Sequence, residues 1–447
     1  MKIRPIIVKH SITYKPGFLK FALLATIIAA GALAHAHGAA NAEYADFYTG
    51  ENDTRSKGVD WVQAIKVSSP AYCSEIKGDV TVNFTAPGMT KVKVLCWQQP
   101  TPENSSPWGH DVEVANLTPD MAGNGSFVFH ADKFPNGPLI LRIHAKDDGK
   151  KQDMCQVQFF NTGGVVWNQG IPKKDPPAAQ GMKLAFSDDF DGPLSITANG
   201  KEARYQGHKT GGGDFSGWPF TSTENALNPF SQAGTWMRIH ASKPAGTKGS
   251  SGIISSAHED GTGFYATIPC YFECRFIAQS APGTWPAFWL LTKGGIGMDK
   301  ASPEYKALAG KSDELDIIEA YGGMGPKNPN FLDYAATTHY WGQKGPDGKQ
   351  LHAGHIDAPM MNLGGKSSWS TTFHTYGVAI TKTDTIYYFD DIEVLRHTTG
   401  ELSKSQPFWF LINYAIGGIS GWHIDMDRYG NQSDMWVDYV RVYQGSH

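Results

Sequence analysis

Short runs of apolar residues, or of alternating apolar and polar residues, recur along the chain after residue 65. Between residues 66 and 162 these runs have the length of β-strands. They cover residues 80–84, 92–95, 126–129, 139–143 and 154–160. Turn-forming pairs such as Pro87-Gly88 and Asn136-Gly137 lie between them. Short strands at this spacing predict a small immunoglobulin-like β-sandwich over residues 66–162.

A stretch rich in proline and glycine, residues 163–182, follows this region. Its composition predicts a partly extended linker, and such a linker predicts few contacts between the regions on either side. Residues 183–447 return to strands and turns. Segments 408–415 and 436–443 carry aromatic and branched residues on both faces. This pattern is typical of a two-sheet sandwich in which one sheet also lines a cleft.

The first 42 residues have the pattern of an export signal. Basic residues precede an apolar run over residues 21–34, and small residues suit cleavage after Ala36 or Ala42. The run is short for a membrane span, but the long basic region leaves an uncleaved anchor as the alternative. We expect a signal peptide over residues 1–42 and a polar lead-in over residues 43–65. The protein is expected to be secreted, extracellular or periplasmic, without a membrane contact after cleavage.

Composition narrows the fold class and the function classes. The 447 residues carry a net charge of −4 with 18% charged residues, so no basic surface predicts binding to nucleic acid. The 50 glycines and the 12% aromatic content favour an all-β protein with many turns. We expect a monomer.

The five cysteines cannot all pair within one chain. Cys270 and Cys274 are four residues apart in a strand-like segment, about 13 Å if extended, which is too far for a disulfide. Both are therefore expected as buried thiols. Among Cys73, Cys96 and Cys155 one disulfide is expected, with three pairings open. No CxxC pair or histidine cluster predicts a zinc site.

Three carboxylates lie within six residues, at Glu314, Asp316 and Glu319, with only apolar residues between them. One interpretation is a solvated acidic helix over residues 302–320. The other is a strand in which Glu314 and Asp316 share a face, and one extra residue, a β-bulge, returns Glu319 to that face. The second arrangement would supply the ionised and the protonated carboxyl groups that glycoside hydrolysis requires.

Two tryptophans upstream favour the strand. Trp285 and Trp289 are four residues apart, on one face of a strand, and flat indole rings suit the apolar faces of sugar rings. Core packing is the alternative for this pair taken alone. Together with the carboxylates, the pair indicates a cleft that binds polysaccharide.

The carboxylate segment resembles the E-x-D-x-x-E signature of glycoside hydrolase family 16. Other segments resemble that family in the same order along residues 183–447. They are residues 186–192, 251–256, 271–275, 373–377, 388–390, 413–418 and 437–443. The two residues between Asp316 and Glu319 resemble the laminarinase, agarase and carrageenase branch. The lichenase and xyloglucan transglycosylase branch usually has one residue there.

The resemblance implies a concanavalin-like β-jelly roll over residues 183–447, with a concave face that binds polysaccharide. It implies an endo-acting retaining hydrolase with Glu314 as nucleophile, Glu319 as general acid/base and Asp316 between them. The expected substrate is a β-1,3- or β-1,3-1,4-glucan. A galactan hydrolase, a transglycosylase and a non-catalytic carbohydrate-binding protein are the alternatives. No cofactor is expected to be required for catalysis.

Substrate binding is expected for Trp285, Trp289, His339, Asn413 and Trp422. His339 and Asn413 resemble family residues at these positions, and Trp422 follows Gly417-Gly418 and is expected to border the cleft. Structural roles are the alternatives for the first four: core packing for the tryptophans, a satisfied histidine, and an asparagine bonded to backbone.

Two other positions carry weaker expectations. Asp438 matches an aspartate that contributes to a structural calcium site in the family, and carboxylate oxygens are ligands that calcium prefers. Glu273 and Arg275 either line the cleft or form a structural ion pair.

Overall fold

The structure is a computed structural model, and it describes residues 58–98, 110–166, 170–323, 333–359, 369–419 and 423–445. The predicted signal peptide and most of the lead-in lie outside these ranges. Within them, no helix is both long and apolar enough to cross a membrane.

The first part of the described chain forms two sheets. Its strands, β1 to β9, are Asp60–Trp61, Lys66–Ser69, Glu75–Ile76, Asp79–Thr85, Lys91–Gln98, His110–Leu117, Asn124–His130, Gly137–Lys146 and Lys151–Asn161. One sheet has the order β1-β9-β8-β5-β6, with β3 also paired to β9, and the other has the order β2-β4-β7. The five strands expected from the apolar runs are confirmed. The immunoglobulin-like classification stays a prediction.

The second part contains longer strands and two short helices. Strands β10 to β18 are Lys183–Asp188, Ile196–Thr197, Tyr205–Gln206, Phe230–Ala233, Trp236–Ser242, Gly252–Ser255, Cys270–Ala278, Thr284–Thr292 and Ser312–Glu319. Strands β19 to β25 are Asp333–Lys344, Gln350–Pro359, His374–Ile380, Asp384–Phe389, Ile392–Thr398, Phe408–Ile416 and Gln432–Gln444. The helices α1 and α2 are Pro303–Leu308 and Glu401–Ser405. Single 3₁₀ turns cover Ala131–Lys133, Pro177–Ala179 and Asp427–Tyr429.

These later strands form two eight-stranded sheets. The inner sheet has the order β11-β12-β15-β24-β17-β18-β19-β20, and the outer sheet has the order β13-β14-β25-β16-β21-β22-β23 with β10 paired to β25. Their facing side chains share one apolar core, where Phe272 of the outer sheet packs against Phe410 of the inner sheet. Phe288, also in the inner sheet, contacts the same ring. The all-β class and the jelly-roll sandwich are confirmed.

The carboxylate segment is a strand. A helix covers only Pro303–Leu308, and β18 begins at Ser312, so an acidic helix over residues 302–320 is excluded. Leu315 and the two isoleucines Ile317 and Ile318 are buried in the core between the sheets. Burial of these residues explains why the segment adopts the strand, because a helix would spread them around its axis.

The expectation of few contacts across the predicted linker is wrong. Strand β9 packs on the outer sheet through buried polar groups: the Gln156 side chain donates to Ser370 Oγ at 2.9 Å and accepts from the Ser280 N–H at 2.9 Å. Arg428 Nη1 lies 2.7 Å from Asp153 Oδ2 in a buried ion pair. The composition of the linker gave no information on the surfaces of the two regions that it joins. These surfaces are complementary in hydrogen bonding and in charge.

An aromatic cluster completes this interface. Phe160 of β9 lies 4.9 Å from the ring of Trp436 and 5.9 Å from the ring of Trp236, measured between centroids. Both tryptophans are buried. Removal of residues 66–162 would therefore expose a large apolar surface on the outer sheet.

All five cysteines are free thiols. Cys270 and Cys274 are buried, as expected. The disulfide expected among the other three is absent. Cys96 and Cys155 are core residues of β5 and β9, two strands that β8 separates, and Cys73 lies at the interface, where its carbonyl accepts from Arg238.

Candidate active site

A β-bulge brings the three carboxylates to one face of β18. On the neighbouring strand β17, Glu314 lies opposite Leu291, Asp316 opposite Trp289 and Glu319 opposite Ala287. Phe288 pairs with Ile318, so Ile317 is the extra residue. The bulge predicted from the spacing is confirmed, and all three acids line the same cleft.

The cleft lies on the face of the inner sheet that is turned away from the core. Its volume is about 980 Å³. Trp285 and Trp289 of β17, His339 of β19 and Asn413 of β24 all line it, as the sequence predicts. These residues alternate along their strands with side chains of the core, such as Phe288 and Ile412. The cleft therefore results from the period of two in β-strands.

Glu319 lies in an environment that favours its protonated form. Burial, and after it the negative charges of Asp316 and Glu314, raise the pKa of Glu319 to about 8. Trp285 Nε1 donates to Glu319 Oε1 at 3.2 Å, and the Tyr321 hydroxyl lies 3.4 Å from the same oxygen. Glu319 is therefore protonated at neutral pH and oriented by two aromatic side chains.

Glu314 and Asp316 lie close together beside His339, with ligand atoms of the three residues within 4.8 Å of one another. Burial raises the pKa of Glu314, and the charges of His339 and Lys209 and a hydrogen bond from Trp341 oppose that rise. Burial, and then the charge of Glu314, raise the pKa of Asp316 well above its usual range. His339 Nε2 lies 3.4 Å from Asp316 Oδ2. Three buried acids close together cannot all be ionised, so they share protons.

Asn413 acts through Trp289. It is buried, and its Oδ1 accepts a hydrogen bond from Trp289 Nε1 at 2.8 Å, while its Nδ2 donates to the Trp285 carbonyl at 3.3 Å. Asn413 lines the cleft and also bonds backbone, so the backbone contact raised from the sequence is confirmed, and substrate binding stays a prediction. The contact fixes the indole plane of Trp289 in the cleft.

Three residues of the site were not predicted. Trp341 stacks on His339 with ring centroids 4.9 Å apart, and Tyr321 stacks on Trp285 at 5.6 Å. Lys209 Nζ lies 5.5 Å from the centroid of the Trp289 ring. Trp341 is two residues from His339 on the same strand, and this period of two could have identified it. Lys209 is distant in sequence, and no local pattern indicated it.

Other predicted residues lie elsewhere. Trp422 is outside the described residues. Glu273 and Arg275 belong to β16 of the outer sheet and do not line the cleft. Each is in a structural ion pair, but with a different partner: Glu273 with Arg441 and Arg275 with Asp438.

The surroundings of Asp438 do not fit a calcium ion at its carboxylate. One oxygen accepts from the Gly170 N–H at 2.9 Å, and the other pairs with the Arg275 guanidinium. A calcium site requires several oxygen ligands, whereas both neighbours here are donors and one is a cation.

Two clusters in the described part of the chain have metal-ligand chemistry. Glu314, Asp316 and His339 offer ligand atoms within 4.8 Å of one another, and so do Cys73, His240 and Asp434. In the second cluster the Arg238 guanidinium already occupies Asp434. Neither arrangement needs a metal to account for its contacts.

The second part of the chain is similar to known proteins. Residues 222–440 match the model of glycosyl hydrolases family 16. An endo-1,3-1,4-beta-glycanase of Rhizobium meliloti is 30% identical over 281 residues, 59% of this chain and 52% of its own length. A beta-glucanase of Rhodothermus marinus is 28% identical over 183 residues, 39% of this chain and 56% of its own length. The chain spans about half the length of these two relatives.

A solved structure is similar as well. The laminarinase from Flavobacterium sp. UMI-01 is 23% identical, with a TM-score of 0.42, and the match covers 59% of this chain and 100% of that chain.

Proposed function

Since residues 222–440 belong to glycosyl hydrolases family 16, we propose that this protein is an exported, endo-acting hydrolase of β-1,3- or β-1,3-1,4-glucan. One observation carries the proposal. Three buried or partly buried carboxylates lie on one face of β18, in a cleft lined with tryptophan, and burial and the neighbouring acids raise the pKa of Glu319 to about 8. A non-catalytic carbohydrate-binding protein has no need of such a set, because buried acids without cationic partners destabilise the fold.

In the first step Glu319 donates its proton to the glycosidic oxygen. The ionised Glu314 attacks the anomeric carbon from the other face of the sugar, so the glycosidic bond breaks and an ester to Glu314 forms. Asp316 lies between the two and orients Glu314, and the charge of His339 favours the ionised form of Glu314. Trp285 and Tyr321 hold the Glu319 carboxyl in position for the transfer.

In the second step the roles reverse. Glu319, now ionised, takes a proton from water, and this water attacks the anomeric carbon and breaks the ester to Glu314. The product keeps the β-configuration. Placement of both glutamates on one bulged strand supports this mechanism, since retaining enzymes hold their carboxyl groups close together, about 5–5.5 Å apart.

The test begins with a panel of polysaccharides. The full chain is incubated with laminarin, lichenan, agarose and xyloglucan, and the products are sized over time. Endo-acting hydrolysis of glucan gives a ladder of oligosaccharides from laminarin or lichenan. Cleavage of agarose alone would instead identify a galactan hydrolase, and cleavage of none would contradict the proposal.

Stereochemistry tests the mechanism separately. Proton NMR of the earliest product from a β-linked substrate should show the β-anomer. An initial α-anomer would mean direct attack by water and would exclude Glu314 as the nucleophile.

Export is proposed from the sequence of residues 1–42. Expression of the full chain followed by N-terminal sequencing of the mature protein tests it. A new N-terminus close to Ala36 or Ala42 is expected, and an intact Met1 would favour the uncleaved anchor.

A further inference from the structure

The two halves of the cleft differ in charge. Lysines line the half next to Glu314, and they are Lys209, Lys293, Lys300 and Lys311. The half next to Glu319 is aromatic and apolar, with Trp285, Tyr321, Phe215 and Ile419. No arginine lines the described cleft, so all its permanent positive charge lies in the lysine half.

Strand register places these lysines at one end. Lys293 directly follows β17, and Lys311 directly precedes β18; the two strands are antiparallel, so these ends are neighbours. Lys300 lies in the connection between them. Within the pair, Leu291 lies opposite Glu314, whereas Ala287, farther from this end, lies opposite Glu319. The positive charge is therefore on the Glu314 side.

Lys209 reaches the same half from a different segment. Its Nζ lies over the Trp289 ring at 5.5 Å, and its charge opposes the rise in the pKa of both Glu314 and Asp316. A cation from a distant part of the chain thus adds to those of the β17–β18 connection.

None of the four lysines forms a salt bridge within the ranges that the structure describes. Lys293 contacts the Tyr265 ring at 4.8 Å and the Gly261 carbonyl at 3.5 Å. Lysines elsewhere, such as Lys404 with Glu401, do pair with acids. Glu259 also lines the cleft, but its carboxylate accepts from the Gly211 N–H. Several ammonium groups in one concave surface repel each other, and a bound anion would relieve that repulsion.

We propose that the lysine half of the cleft binds an anionic group carried by the glycan, so that the preferred substrate is an acidic polysaccharide. The sugar bound beside Glu314 would carry a carboxylate or a sulfate, and either group suits lysine ammonium donors. This inference rests on the proposed function, since it concerns the substrate of the same site. A neutral glucan would fill the aromatic half equally well and leave the lysines without a partner.

The experiment compares glycans that differ only in charge. Lichenan and laminarin are used unmodified, lightly carboxymethylated and lightly sulfated, and kcat/KM of the full chain is measured on each. We expect about a tenfold preference for the charged form at low salt, from electrostatic attraction in a cleft. The preference should vanish at about 1 M salt, where the screening length falls to about 3 Å. The carboxymethyl and sulfate arms identify which anion is favoured.

A double variant and a matched control locate the effect. Lys300→Gln with Lys311→Gln removes two charges from the cleft without touching Lys209, whose charge also acts on the carboxylates. In the double variant, most of the preference for the charged glycan should be lost, so that kcat/KM becomes nearly equal for the charged and the neutral form. Lys306→Gln in α1 removes an exposed lysine of the same connection that does not line the cleft, and it should leave the ratio unchanged.

Affinity electrophoresis in gels that contain each polymer measures binding without turnover. Stronger retardation by the charged polymers, lost in the double variant, would support the inference even if cleavage were slow. Equal retardation and equal kcat/KM for charged and neutral forms would overturn it and leave the proposed function intact. Binding of charged polymers without cleavage of any glycan would instead overturn the proposed function alone.

Discussion

Buried carboxylates occur in both large sheets, but their partners differ. In the outer sheet Glu273 lies 2.8 Å from Arg441, and Asp434 lies 2.7 Å from Arg238. In the inner sheet Glu314, Asp316 and Glu319 are also buried or nearly so, and no arginine lines their cleft. The outer-sheet acids are paired with arginines, whereas each acid of the cleft lies mainly next to the other two.

The pKa values follow this difference. Burial alone would raise the pKa of Asp434, but the hydrogen bond from His240 and the charge of Arg238 lower it. Burial raises the pKa of Glu319, and the neighbouring acids raise it further, to about 8. Asp438 is intermediate, because burial raises its pKa despite the Arg275 partner. Paired acids hold the fold together, whereas acids left unpaired remain available for proton transfer.

The sharpest test exchanges carboxylate for amide in both groups. Glu314→Gln and Glu319→Gln should each lower kcat/KM by about 10³-fold or more, because nucleophile and acid both need an ionisable group. Their melting temperatures should not fall, since burial raises the pKa of both acids and the neutral amide removes the cost of a charge at these positions. Glu273→Gln is the matched control, and it should lower the melting temperature and leave kcat of the folded protein close to wild type. Comparable turnover in all three would contradict the assignment.

The second test removes a cation from the outer sheet. Arg441→Met leaves Glu273 buried without its guanidinium partner, which typically costs about 3–5 kcal/mol of stability. Urea denaturation should show this loss, and the remaining folded enzyme should keep its kcat. If the variant were as stable as the wild type, the guanidinium of Arg441 would not stabilise the buried Glu273, and the contrast with the acids of the cleft would fail.

The third test follows Glu319 with pH. Its folded pKa of about 8 lies above the value of about 4.3 for an unfolded glutamate, so the folded state holds this proton more tightly. The stabilisation is therefore complete below about pH 4 and is lost as the pH rises towards 8. Relative to Glu319→Gln, the wild type should lose stability over this range, and kcat/KM should fall above about pH 8 as the acid ionises. A rate that keeps rising above pH 9 would exclude Glu319 as the acid.

The smallest expected effect concerns the orientation of Glu314. Trp341→Phe keeps the stacking on His339 but removes the hydrogen bond to Glu314. We expect about a tenfold loss in kcat/KM, equivalent to about 1.4 kcal/mol, and a higher pH for the acidic limb of the rate profile. Loss of activity without a shift of that limb would indicate that Trp341 binds sugar instead.

The site could be predicted from the sequence where the pattern was local. The odd spacing of Glu314 and Glu319 required a bulge, and the period of two placed Trp285 and Trp289 on one face. Lys209 and the partners of the outer-sheet acids come from distant segments, so their positions depend on how strands order themselves in a sheet. The pairing of Glu273 with Arg441, rather than with the nearby Arg275, is an instance of this.

The interface between the two parts of the chain escaped prediction for a related reason. Gln156 and Phe160 read as ordinary members of an alternating strand, and their partners Ser370 and Trp436 follow more than 200 residues later. The alternation of residues in a strand does not indicate which distant surface will pack on the outer face of that strand.

Because of the bulge at Ile317, the placement of both glutamates in the cleft depends on whether their separation along the chain is odd or even. Five positions separate Glu314 from Glu319, and this odd number suits one face only because Ile317 takes no partner in the ladder. A chain that lost Ile317 would have an even separation of four, and a regular strand would still present both acids to the cleft. A chain that gained one residue here would have a separation of six, which also presents both acids to the cleft in a regular strand but turns Glu319 into the core if the bulge is kept. A change of one residue in either direction is thus tolerated only when the bulge is lost with it, so the residue count and the bulge must change together.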